Sequence, residues 1–161
     1  MEAVGSGSAA SAATVSPDTN CCTVTELLTS GGTAYHIGFP GGGPFRDGPG
    51  PGTMEESISS GKEVNATLGS SASVSLSSVI ASAQVSVSAS LEASATTTVT
   101  STFSKAIPSG KYLNAQFVSY GYKVPWKEVR VASSCAETTL YSGTATIPSN
   151  SIGWYNWTTT S

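Results

Sequence analysis

The sequence predicts an all-β protein, an antiparallel sandwich or barrel-like domain of about seven or eight strands with an extended N-terminal arm. Three observations carry this. Charged residues are only 11% of the chain, against about 25% in ordinary globular domains, so the long helix-favouring side chains are scarce while Val, Thr and Ser abound. Apolar residues repeatedly alternate with polar ones at a period of two, the period of a strand with one wetted face. Gly- and Pro-bearing turn signals separate these alternating runs.

A length of 161 residues suits one domain plus a tail. Residues 1–20 are almost entirely small or hydroxylated and read as the arm; residues 21–161 read as a single β-domain with a Gly/Pro-rich loop over 38–53. Within the arm, Glu2, Ala3, Val4, Gly5, Ser6, Gly7 and Ser8 are the candidate partner-binding residues. Small side chains and a free backbone suit a segment that docks as an added strand in another protein's groove.

The first strand pair is expected at Thr23–Leu28 and Ala34–Ile37, joined by a tight turn through Ser30-Gly31-Gly32. Eleven of the fifteen residues 38–52 are Gly or Pro, so no regular structure is expected there. From Leu68 to Ser104, 18 of 37 residues are Ser or Thr and Glu92 is the only charge. Val74 and Leu76 lie on one phase of the alternation and Val85, Val87, Ala89 and Leu91 on the other. Two long antiparallel strands, or one long hairpin, are therefore expected, with a bend or bulge near Ala81–Gln84. After the Pro108-Ser109-Gly110 turn, Tyr112 to Val124 is apolar on both faces, as a central strand covered twice would be, and Pro125 is expected to end it. Trp126–Ala132 alternates with Val129 and Val131 inward. A strand over Thr138–Ile147, a Pro-Ser-Asn-Ser turn and an aromatic segment, Trp154-Tyr155-Asn156-Trp157, complete the chain.

Several functions are disfavoured by composition. A net charge of −3 with seven scattered basic residues leaves no electrostatic footprint for nucleic acid. No apolar run approaches the roughly 18 residues of a membrane helix. Catalysis and cofactor or metal binding are not expected. The single histidine, His36, sits in a strand-like context, Asp18 and Asp47 fall in irregular segments, and no nucleophile motif, carboxylate cluster or CxxC spacing occurs.

Met1-Glu2-Ala3-Val4 lacks the basic start and apolar stretch of a secretory leader, so export would imply a leader already removed. Cys21, Cys22 and Cys135 are the only cysteines. Neighbouring cysteines rarely bridge each other, so a bond to Cys135 is expected from one of the pair, with Cys22 the candidate and Cys21 the open alternative. Closing a loop on the order of 110 residues contributes about 4–5 kcal/mol in the loop-entropy model, and such a bridge points to an oxidising, extracellular compartment. Trp154, Tyr155 and Trp157 are a second candidate binding group, since Trp and Tyr dominate interface hot spots.

Two resemblances bear on function. The Ser/Thr-alternating block resembles the membrane-inserting hairpin of aerolysin-like pore formers, in which one face meets lipid and a Ser/Thr face lines the lumen. Its apolar face is leaner, resting on Ala and Val, and the chain is short for that family. Over nearly its full length the chain resembles the small B component of actinobacterial umbrella toxin particles. That resemblance rests on the arm before Cys21-Cys22, the Pro108–Tyr112 turn, the Tyr120–Trp126 run and Cys135 ahead of Ser142–Ala145. It implies a secreted, non-enzymatic adaptor whose N-terminal arm links a lectin-like subunit to a repeat-bearing toxin subunit. A β-pore-forming toxin and a small carbohydrate-binding module are the alternatives, the latter tested by replacing Trp154 or Trp157.

Overall fold

A computed structural model of the chain describes residues 23–69 and 74–161. In chain order the described elements are β1 (Val24–Thr29), β2 (Thr33–Gly38), β3 (Phe45–Asp47), β4 (Gly52–Ile58), β5 (Glu63–Asn65), α1 (Leu76–Ser86), β6 (Ser94–Thr96), β7 (Ser101–Ile107), β8 (Tyr112–Val131), β9 (Glu137–Ile147) and β10 (Ile152–Thr159). The fold is all-β and antiparallel, as the alternation predicts. The arm, with Glu2 to Ser8, and both Cys21 and Cys22 lie outside the described residues.

Everything is organised on β8. Its 20 residues span roughly 65 Å at about 3.3 Å per residue. Along one edge run β1, β2 and β3 in succession, pairing with Val131–Trp126, Lys123–Val118 and Ala115–Leu113. Along the other run β9, from Val131 to Tyr122, and β10, from Ser119 to Tyr112. The result is a long three-stranded ribbon whose outer strands are broken into collinear pieces. That breakage is why ten strands appear where seven or eight were expected.

Residues 52–107 leave this ribbon and return. β4 pairs with β7 and β5 with β6, and this second layer covers the first half of β8. Met54 and Ile107 pack on Leu113 and Ala115, and Phe39, Ile58, Val64 and Ala95 on Phe117. Over the second half, α1 closes Val79, Ile80 and Ala83 onto Val124, Trp126, Ala145 and Ile147.

Five local expectations are corrected. The Ser/Thr block does not form two long strands: Leu76–Ser86 is a helix. Ser75 sits extended at its N-cap, its Oγ accepting from the Ser78 N–H at 3.4 Å, and Val79, Ile80 and Ala83 share the buried side. Ser and Val are weak helix formers and so short a helix is marginal alone. Burial decides it, with Val79 and Ile80 together contributing about 3–6 kcal/mol.

Nor do β1 and β2 pair with each other as a hairpin, since both lie on the same edge of β8. Pro125 does not end β8. Its carbonyl accepts from the Ser30 N–H at 3.1 Å, and N–H and C=O of one residue face the same neighbour in an antiparallel ladder. The missing donor therefore faces the break between β1 and β2, where nothing needs it. The Gly/Pro stretch holds one short strand, β3, paired with Leu113–Ala115. Finally, Pro148–Ser151 is a jog between collinear β9 and β10, with Ser149 Oγ donating to the Tyr120 carbonyl at 2.7 Å; it does not reverse the chain.

Cys135 lies in the β8–β9 turn, closed by Cys135 N–H to Ala132 O at 2.8 Å and Ala132 N–H to Ala136 O at 2.9 Å. It is disulfide-bonded, with the expected partners Cys22 and Cys21 outside the described residues. Its φ of 69° is left-handed, a conformation that disfavours every residue with a Cβ. Cys135→Gly and Cys135→Ser both remove the sulfur, but only Gly relieves the backbone. The Gly variant should be more stable than the Ser variant by about 1 kcal/mol; equal urea midpoints would contradict the left-handed turn.

Candidate functional site

The ladder formed by β4, β5, β6 and β7 has one register throughout. Gly52 stands opposite Ile107, Ile58 opposite Ser101, Glu63 opposite Thr96 and Asn65 opposite Ser94, so partner numbers sum to the same value in every pair. The interruption between the two pieces removes the same number of residues from each side. Lys62 and Thr97 keep step across it, the Thr97 N–H donating to the Lys62 carbonyl at 2.9 Å. Beyond β5 and β6 the register holds for one more pair, with the Ala66 N–H donating to Ala93 O at 2.8 Å. There the two chains part. Thr67 turns aside to bridge Thr146, and Leu91 to bridge Ser149.

The segment between, centred on α1, is held by the burial of Val79, Ile80, Ala83 and Leu91 and by hydrogen bonds. Thr29 Oγ1 on β1 meets Ser82 Oγ at 2.8 Å and Ser86 Oγ at 2.6 Å. Gln84 Nε2 donates to Leu91 O at 2.7 Å, and Trp126 Nε1 to Leu68 O at 3.2 Å. Val85, on the outer side of α1, is 64% exposed.

Counting the ladder onward from Ala66 and Ala93 exposes a pattern that the helix conceals. Leu68 falls opposite Leu91, Val74 opposite Val85 and Leu76 opposite Ala83. All lie on the face that buries Met54, Ile58 and Val64 in the folded sandwich. Ser75 falls opposite Gln84 and Ser77 opposite Ser82, on the other face. The change of phase between Leu76 and Val85 is what a hairpin needs, because antiparallel partners in this register have opposite parity. The same residues thus fit a helix through Val79, Ile80 and Ala83, and a two-faced hairpin through their alternation.

The C-terminal aromatics divide between two faces. Trp154 points into the sandwich, its ring 5.3 Å from Phe117, 5.5 Å from Phe103 and 6.2 Å from Phe45, with Nε1 donating to Ser101 Oγ at 3.2 Å. Tyr155 and Trp157 point away from it, stacked 5.2 Å apart. The structure adds His36 to them, 4.1 Å from Tyr155 and 5.3 Å from Tyr120. Sequence reasoning missed His36 because its register against Tyr120 is visible only once β8 is known to carry both edges. Arg46 lies 4.2 Å above the Tyr112 ring at the end of the same face.

Among the described residues, no group of three His, Cys, Asp or Glu side chains is placed to hold a metal ion, and no helix is long and apolar enough to cross a membrane. Comparison with known protein families, curated proteins and solved structures gives no match.

Proposed function

We propose that the chain is a secreted, non-enzymatic protein that forms β-pores. In this reading α1 leaves the sheet, and the segment between Ala66 and Ala93 extends the ladder into a hairpin that assembles with copies of itself in a membrane. The observation that carries the reading is the unbroken register of the ladder. Continued, it sorts Leu68, Val74, Leu76, Val85 and Leu91 to one face and Ser75, Ser77, Ser82 and Gln84 to the other, the division that a membrane β-barrel requires. Each arm of such a hairpin exceeds the roughly 9–11 residues that a tilted membrane strand needs. Paired strands in a closed barrel leave no backbone group unsatisfied in lipid. The disulfide at Cys135 supports an oxidising, extracellular setting.

The direct test is release of a trapped dye from vesicles of bacterial or animal total-lipid extract, with heat-resistant oligomers sought by electrophoresis. Leakage with oligomers is expected; an intact monomer and tight vesicles on both lipids would sink the proposal.

One observation favours a second reading, the adaptor. β1 begins at Val24 opposite Val131, at one tip of the ribbon, which suits engagement of a lectin-like or toxin subunit from that end. Removing 1–20 would then abolish co-purification with a partner while leaving thermal melting of the β-domain unchanged.

A further inference from the structure

The register that defines the hairpin also sorts the charges. Residues 52–107 carry six: Glu55, Glu56, Lys62, Glu63, Glu92 and Lys105. Glu55 pairs with Ser104 and Glu63 with Thr96. Glu92, by the same count, falls opposite Thr67. These three carboxylates share the Ser/Thr face. Both lysines fall on the opposite face, Lys105 paired with Met54 and Lys62 in step with Thr97, as does Glu56, paired with Phe103. In the folded protein Glu55, Glu63 and Glu92 are exposed; Glu55 and Glu63 already hold their place in the ladder, and Glu92 joins it once Thr67 and Leu91 leave their bridges to Thr146 and Ser149.

We propose that the pore conducts cations in preference to anions, with Glu92 as the principal selectivity residue and Glu63 the second. This rests on the pore-forming reading. Around a closed assembly each copy contributes one Glu92, so the carboxylates recur as a ring where the lumen opens beside the folded body, with a Glu63 ring behind it. Deeper in, the lining is neutral: Ser75, Ser77, Ser82 and Gln84. Within residues 52–107 both lysines fall on the opposite face, and there is no arginine to offset the rings. Rings of carboxylates select cations because a confined, poorly screened field concentrates the counter-ion and repels the co-ion. At moderate salt the Debye length of about 10 Å lets such rings act across a narrow lumen.

The test is a planar lipid bilayer with a KCl gradient, using the full chain and reading the reversal potential. The wild type should reverse on the potassium side of zero, with a potassium-to-chloride permeability ratio severalfold above one. Glu92→Gln should lower the ratio toward one, Glu92→Lys should invert the preference, and Glu63→Gln should give a smaller fall. Glu56→Gln, on the opposite face, should change nothing. Absence of any conductance overturns the pore and its selectivity together. Conductance that reverses at zero, or a ratio that Glu92→Gln and Glu92→Lys both leave unchanged, overturns the selectivity proposal alone. Since Glu92 is exposed, neither substitution threatens the fold, and unchanged thermal melting confirms that.

Discussion

Val85→Arg is expected to leave the folded protein intact and to abolish membrane leakage. On α1 the side chain is 64% exposed, and Arg is a better helix former than Val. Surface changes of this kind stay within about 0.5 kcal/mol. In the extended hairpin the same position faces lipid opposite Val74. A lipid-facing Arg costs about 2–4 kcal/mol at the bilayer midplane, and less toward the surface. Every copy in the ring carries that penalty, so a modest cost per chain becomes prohibitive for the assembly. Dye release from vesicles is the measurement, with thermal melting as the control. Val85→Thr should retain most of the activity, because a β-branched strand former with one hydroxyl is tolerated where a charge is not. Wild-type leakage by the Arg variant would mean that this row does not meet lipid. Core substitutions could not make that distinction, since they unfold the starting state as well.

Trp154→Ala is expected to destabilise the protein by about 3–5 kcal/mol, a large share of the roughly 5–15 kcal/mol that holds a domain folded. The indole bridges two clusters of the sandwich and touches three Phe rings. Its removal leaves a cavity that rigid neighbouring strands cannot close, and it orphans the Ser101 hydroxyl. Trp157→Ala, two residues on, removes one stacking partner from Tyr155 on the uncovered face and should cost at most about 1.5 kcal/mol. Denaturant midpoints of the two variants make the comparison. If Trp157→Ala proved the more damaging, the assignment of faces along β10 would be wrong. The pair also bears on a carbohydrate-binding reading, in which both substitutions would weaken sugar binding. Trp154, half-buried among Phe45, Phe103 and Phe117, offers a sugar less ring surface than exposed Tyr155.

The strand content was legible because strand signals are local: β9 and both halves of β8 lie where the runs Thr138–Ile147, Tyr112–Val124 and Trp126–Ala132 predict strands. What escaped was decided by distant partners. Val79, Ile80 and Ala83 can share one side of a helix, while Val85, Val87 and Leu91 alternate as a strand would. Only the surface offered by Val124, Trp126 and Ile147 favours the helix. Pro125 reads as a terminator because it lacks a donor, yet its position beside the gap after Thr29 makes that lack harmless. The candidate site was half legible. The two-faced composition of the Ser/Thr block stands in the sequence, but which residues share a face depends on a register set by β4 and β7. Sequence reasoning therefore passed over Glu55 and Glu63.

The placement of β8 between two broken edges also constrains the order in which the molecule can be built. Among the described residues β1, β2 and β3 pair with no strand but β8, so they wait, unpaired, until residues 112–131 have been made. Such long-range pairing makes folding slow relative to helical proteins of similar size, and unpaired strands invite wrong neighbours meanwhile. A chain halted before Tyr112 would hold the β4–β7 layer but no template for its ribbon. Once β8 is made, a single strand recruits both edges, and the sheet closes from its middle outward.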